Sequence, residues 1–201
     1  MSEKRARRRI TQDTYGSPGF GGDPPNRFMN VVLIGYRGSG KTTIAQIVAD
    51  QLGWEWRDAD DLVESRAGKS IREIFEDDGE STFRDYESQV VQDLCDRERT
   101  VVALGGGAIL REQNRRAVQQ SELVIWLKVS PTTVEARIKA DPTTAQRRPN
   151  LTSAGGLEEI RALLAERTHL YQEVAHESID TDGSTPEQIA EQVVAAVKRT
   201  G

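Results

Sequence analysis

The stretch "NVVLIGYRGSGKTT" runs an apolar segment directly into Gly35, Gly40, Lys41 and Thr42, the full G-x-x-x-x-G-K-[ST] spacing. Few local patterns constrain a fold so tightly. The apolar run has the length of a buried strand. The residues after the loop, "KTTIAQIVADQLG", space their apolar side chains as a helix does and end at Gly53. Between the two, glycines let the backbone curl so that successive N–H groups point inward at an anion, and the helix start adds its positive dipole end. Lys41 would reach the outer phosphates of a nucleotide and the Thr42 hydroxyl would ligate Mg²⁺. The candidate nucleotide contacts are therefore Gly38, Ser39, Gly40, Lys41, Thr42 and Thr43. The competing reading is a glycine-rich turn without function, but a position between strand and helix argues against it.

Beyond this unit the chain keeps alternating. "WEWRDAD", "TVVALGGG", "ELVIWLKV" and "SIDT" read as four more strands, separated by helical stretches. One helical region, "SIREIFEDDGESTFRDYESQVVQDLCDRE", opens on a Ser70–Glu73 capping box and breaks near Gly79. Pro131 is placed to start a helix. Apolar strands alternating with helices imply a parallel five-stranded sheet covered on both faces, a three-layer α/β arrangement. Between the fourth and fifth strands, "DPTTAQRRPNLTSAGG" is polar and rich in Pro and Gly, which makes residues 139–156 the candidate mobile lid.

At 201 residues the chain suits one well-buried domain, assigned to 29–201. Residues 1–28, basic and then rich in Gly and Pro, read as a disordered tail. The net charge is −5, and the tail holds six basic against three acidic residues, which leaves the body near −8 and argues against nucleic acid as a partner. No apolar run reaches the ~20 residues of a membrane helix, and the opening lacks the apolar segment of a secretory signal. The single cysteine, Cys95, reads as a packing residue and fits a reducing, cytoplasmic setting. With no surplus apolar helix face, a monomer is the expectation.

Ligands of parallel sheets bind beyond the strand C-terminal ends, and three suggestive clusters fall there: 35–42, 58–60 and 105–107. Many nucleotide-hydrolysing proteins carry their Mg²⁺ aspartate after an apolar strand. Here "VVAL" ends in glycines instead, so "RDADD" becomes the source of the acid. If Asp58 and Asp60 share a strand end, they project to one side; one would serve Mg²⁺ and the other accept a proton from a hydroxyl. Asp60 and Asp61 read equally as a helix N-cap. Arg84 and Glu87, at i and i+3 in "FRDYE", could be an ordinary surface ion pair. Gly105, Gly106 and Gly107 offer bare backbone to a ligand or simply a flexible turn. Arg147 and Arg148, ahead of Pro149, sit in the presumed lid, where a solvated basic turn is the plain reading. Arg167 in "ERTHLY" is similarly open. His169 and His176 show no metal-ligand pattern.

Taken in order, "GYRGSGKT", "DAD", "FRDYE", "GGG", "RRP" and "R…LY" resemble the shikimate kinase family from about Val31 to Val197. The resemblance implies a P-loop NTPase-like fold with a lid, and ATP-dependent phosphorylation of the 3-hydroxyl of shikimate on the route to aromatic amino acids. It implies that Asp60 binds the substrate and orients or deprotonates its hydroxyl, with Asp58 near Mg²⁺. Arg84 and Arg167 would clasp the substrate carboxylate, Gly106 and its neighbours would meet the hydroxyls, Arg148 would be the lid arginine near the phosphates, and Pro186 would pack on adenine. Arg147 could exchange roles with Arg148, and Arg137 is a weaker candidate for adenine stacking. Two alternatives stand beside this reading. One is another P-loop small-molecule kinase, acting on gluconate or a nucleoside monophosphate. The other is a non-catalytic ATP-dependent switch or binding module.

Overall fold

The computed structural model describes residues 29–140 and 156–200. The expected tail (1–28), most of the expected lid and Arg147, Arg148 and Pro149 lie outside the described residues.

Among the described residues five strands form a parallel sheet: β1 (Val31–Ile34), β2 (Glu55–Asp58), β3 (Thr100–Ala103), β4 (Leu123–Lys128) and β5 (Glu177–Asp180), in the order β2-β3-β1-β4-β5. β1 lies at the centre, with Val31 in register with Val101 on one side and Leu123 on the other. Each of its four residues is buried, as a strand covered on both faces requires. The chain leaves β1 toward one edge and later returns to fill the other side, so the crevice at the C-terminal end of β1 is the switch point of the sheet.

The sheet faces alternate with the strand pleat. Val31 and Leu33 face a core with α1 (Lys41–Leu52) and the closing helix α8 (Pro186–Thr200), packed through Ile44, Val48, Ile189, Val193 and Val197. Val32 and Ile34 face the opposite core, built with α2 (Ala59–Ala67), α4 (Gly79–Cys95), α5 (Glu112–Val118) and α7 (Gly156–Val174) through Val63, Phe83, Val91, Leu94 and Tyr171. Cys95 belongs to this second layer; burial pushes its thiol up to about 11, in keeping with a packing role.

Local signals set most boundaries. Gly53 ends α1 at φ 65°, donating its N–H to the Ala49 carbonyl. Ser70 opens α3 (Ile71–Glu73) with a reciprocal capping box, Ser70 Oγ and N–H each bonded to Glu73. The break near Gly79 is more specific than the composition implied: one π-helical stretch, Ile74–Asp78, precedes it, and Gly79 takes φ 84° to start α4 afresh. Pro131 begins α6 (Pro131–Ala140). Among the described residues no helix is long and apolar enough to cross a membrane.

Candidate active site

The loop after β1 turns on glycines with positive φ: Gly35 at 145°, Gly38 at 78° and Gly40 at 92°. At Gly35 there is also no room, since a Cβ would lie 2.6 Å from the Leu127 carbonyl oxygen. Lys41 opens α1, and its Nζ donates to Gly35 O (3.0 Å), Tyr36 O (2.9 Å) and Ser39 Oγ (3.3 Å). The ammonium is thus held inside the curl by carbonyl oxygens, where a phosphate would compete for it.

Beside the loop, Asp58 and Asp60 enter from the end of β2, in an arrangement that corrects the strand reading. Asp58 is the last strand residue and the N-cap of α2, accepting from the Asp60 N–H at 2.9 Å, whereas Asp60 stands in the first helical turn. The cap is therefore Asp58, not Asp60 or Asp61, and the two carboxylates converge because the chain turns between them. The other Asp58 oxygen accepts from Thr42 Oγ1 at 2.6 Å. Burial pushes the Asp58 carboxyl above its usual range and the Asp60 charge adds to the rise, against the pull of its two hydrogen bonds. A divalent cation would relieve that crowding. Thr42 and Asp58 already stand together as a hydroxyl and a carboxylate, the hard oxygen donors Mg²⁺ takes alongside substrate phosphates. Among the described residues no group of three or more His, Cys, Asp or Glu could hold a metal ion.

A cavity of about 330 Å³ joins these parts, lined by Gly38, Gly40, Lys41, Thr42, Asp58, Asp60, Gly105 and Gly106. Thr43 also lines it, while Ser39 is fully buried beneath the loop. Gly106 packs on the phosphate loop itself; a Cβ there would meet Arg37 N at 3.1 Å and Gly35 O at 3.3 Å. Gly107 faces the other way, with its would-be Cβ 2.7 Å from Arg84 Nη1.

The two candidate carboxylate-binding arginines are not in the cavity wall, yet both reach the glycine turn: Arg84 at Gly107, and Arg167 through Nη1 to the Gly106 carbonyl at 3.4 Å. The Arg84–Glu87 pair is no surface pair. Its Nη1–Oε2 distance is 2.6 Å and its side chains are 11% and 2% exposed. A second, exposed carboxylate, Glu80, takes the other edge of the guanidinium at 3.0 Å. Arg167 is likewise buried. Pro186 opens α8 and is not in the cavity wall.

Two lining arginines gained no firm place from sequence. Arg137 is pinned by Gly38 O (3.1 Å), Thr181 Oγ1 (3.3 Å) and Thr181 O (3.1 Å), so it ties the phosphate loop to the end of β5. Arg37, inside the loop, pairs with Glu159 at 3.1 Å. Its place between the motif glycines was the one available signal.

A phosphate-cradling loop at the central switch point, sharing one cavity with an acidic pair and a glycine turn, defines a P-loop phosphotransferase. A sequence model of the shikimate kinase family matches residues 37–198. A shikimate kinase of Rhodopirellula baltica is 40% identical over 167 residues, covering 83% of this chain and 89% of the relative. Another, from Oleidesulfovibrio alaskensis, is 42% identical over 150 residues, covering 75% and 87%. The solved shikimate kinase of Acinetobacter baumannii in complex with shikimate superposes with a TM-score of 0.79 at 34% identity, covering 86% of this chain and 94% of that one. The chain belongs to the shikimate kinase family. A gluconokinase from Sinorhizobium meliloti, at 17% identity and a TM-score of 0.53, shares the fold alone.

Proposed function

We propose that the protein transfers the γ-phosphate of ATP to the 3-hydroxyl of shikimate, giving shikimate 3-phosphate and ADP. The observation that carries this reading is one cavity lined together by Lys41, Thr42 and Asp58 and by Asp60, Gly105 and Gly106. Gly38, Gly40 and the start of α1 direct backbone N–H groups and a dipole end at the phosphates. Lys41 leaves its carbonyl partners to bind the β- and γ-phosphates. Thr42 and Asp58 would hold Mg²⁺, which when bound would supply charge neutralisation for the phosphates. Asp60 accepts the proton as the 3-oxygen forms its bond to the γ-phosphorus and the bond from that phosphorus to the ADP oxygen breaks.

Arg84 and Arg167 fit a planar carboxylate, because guanidinium groups donate in a fork that matches it. The backbone of residues 105–107 serves the ring hydroxyls. The assignment of Arg148 to the developing phosphate charge, of Pro186 to adenine, and of residues 139–156 to a water-excluding lid rests on the sequence resemblance. A cytoplasmic monomer with a tail at 1–28 rests instead on the single cysteine, the lack of a surplus apolar helix face and the Gly- and Pro-rich composition of those residues. Incubation with Mg-ATP and shikimate tests the reading through the product. Phosphorus NMR should show one new phosphate ester at the 3-position, equal in amount to ADP. ADP formed without that ester would oppose it.

A further inference from the structure

Two of the buried charged residues are carboxylates exposed by no more than 2%, Glu87 and Glu159. Glu87 is accounted for by Arg84. Glu159 has no place in the reaction described above. It stands near the start of α7, and its Oε1 accepts from Arg37 Nη2 at 3.1 Å across 122 positions of sequence. Arg37 belongs to the phosphate loop and lines the cavity.

Four-residue steps along α7 from Glu159 reach Leu163, Arg167 and Tyr171, all buried, so these residues form one stripe of the helix. Arg167 and Tyr171 both donate to the Gly106 carbonyl, at 3.4 and 2.6 Å. Tyr36, buried beside Arg37, has the Arg37 and Arg167 guanidinium carbons 5.9 and 6.0 Å from its ring centroid. One helix stripe therefore holds the phosphate loop near its start and the glycine turn further along. Those are the two halves of the cavity.

We propose that Glu159 is a positioning residue: acting through Arg37, it fixes the phosphate loop against the helix that carries Arg167. An apolar contact at this place would cost less desolvation, but it would not set a single register; a hydrogen-bonded ion pair does. Phosphoryl transfer depends on that register, since a misplacement of about 1 Å can cost roughly 100-fold in rate. Glu159 also keeps the Arg37 guanidinium turned toward α7.

The kinetic part of the test rests on the proposed function, so a second readout is included that needs no turnover. Glu159→Gln keeps the volume and removes the charge, and Arg37→Met removes the other partner. With shikimate and Mg-ATP, each variant should lower kcat per folded molecule at least about 10-fold, with both KM values within about 3-fold. The double variant should match Arg37→Met within about 2-fold, because residues acting through one contact are not additive. Glu159→Asp should recover part of kcat. Multiplicative losses in the double variant, or an unchanged kcat in Glu159→Gln, would overturn the proposal.

Independently, hydrogen exchange of the full chain should speed up at the amides of residues 36–41 in Glu159→Gln while the β1 and β3 amides stay protected. Equal protection of the loop in both proteins would overturn the positioning role. The exchange comparison keeps its meaning even if the wild type turned over no acceptor, an outcome that would count against the proposed function instead.

Discussion

Arg84→Ala separates what the Arg84 guanidinium does for the fold from what it does for the acceptor. Its pair with Glu87 measures 2.6 Å between side chains only 11% and 2% exposed, so the variant leaves a carboxylate in the interior without this cation. Removing one partner of a buried ion pair costs about 3–5 kcal/mol, and a domain of this size loses about 2–4 °C per kcal/mol, so Tm should fall by roughly 6–20 °C. In the proposed site, the acceptor carboxylate loses one of two guanidinium partners as well. That costs at least about 2 kcal/mol, which raises the shikimate KM by about 30-fold or more. Thermal unfolding followed by circular dichroism reads the first effect, and coupled ADP release at saturating ATP reads the second. The double variant Arg84→Met/Glu87→Leu distinguishes them, because it fills the space without a buried charge. Its Tm should return toward the wild-type value while its shikimate KM stays high. A Tm for Arg84→Ala within about 2 °C of wild type would refute the buried pair. An unchanged KM would refute the acceptor role.

Three further outcomes follow from the same geometry. Gly107→Ala places a methyl 2.7 Å from Arg84 Nη1 and must displace that guanidinium, so the shikimate KM should rise about 10-fold or more while the ATP KM stays put. Asp60→Asn should lower kcat by about 10²–10⁴ with nucleotide affinity retained in a fluorescence titration; intact turnover would move the proton-accepting role to another group. Asp58→Asn should raise the Tm of the ligand-free protein near neutral pH while abolishing Mg²⁺-dependent turnover. The sign follows from the raised carboxyl of Asp58. Between its unfolded and folded pKa the native state holds the extra proton, so the wild type loses stability as pH rises through that window and the variant does not. Parallel Tm curves from pH 4 to 7 would contradict it.

What the sequence made legible was local. Gly53, the Ser70–Glu73 box, Pro131 and the glycine loop each act within a turn or two, and the structure places all four at the predicted boundaries. The apolar pattern also sufficed for the three inner strands β1, β3 and β4, because strands buried on both faces read as unbroken apolar runs. The missed features depend on distant partners or on subtle backbone choices. Arg84 and Glu87 look like a surface pair until the sheet and the glycine turn close over them. Asp58 and Asp60 reach one pocket through a strand-to-helix turn that a period of two does not describe. Arg37 and Glu159, separated by 122 residues, have no shared local signature. Charged residues buried by tertiary packing carry no mark in their own segment, and they are what connects the two halves of this site.

One cavity should hold both a nucleotide phosphate and shikimate. Coupled ADP release with Mg-ATP and shikimate, gluconate or no acceptor tests it most directly. Turnover that needs shikimate and ignores gluconate is the predicted result. Turnover driven by gluconate alone, or ADP release indifferent to any acceptor, would contradict the acceptor half of the site.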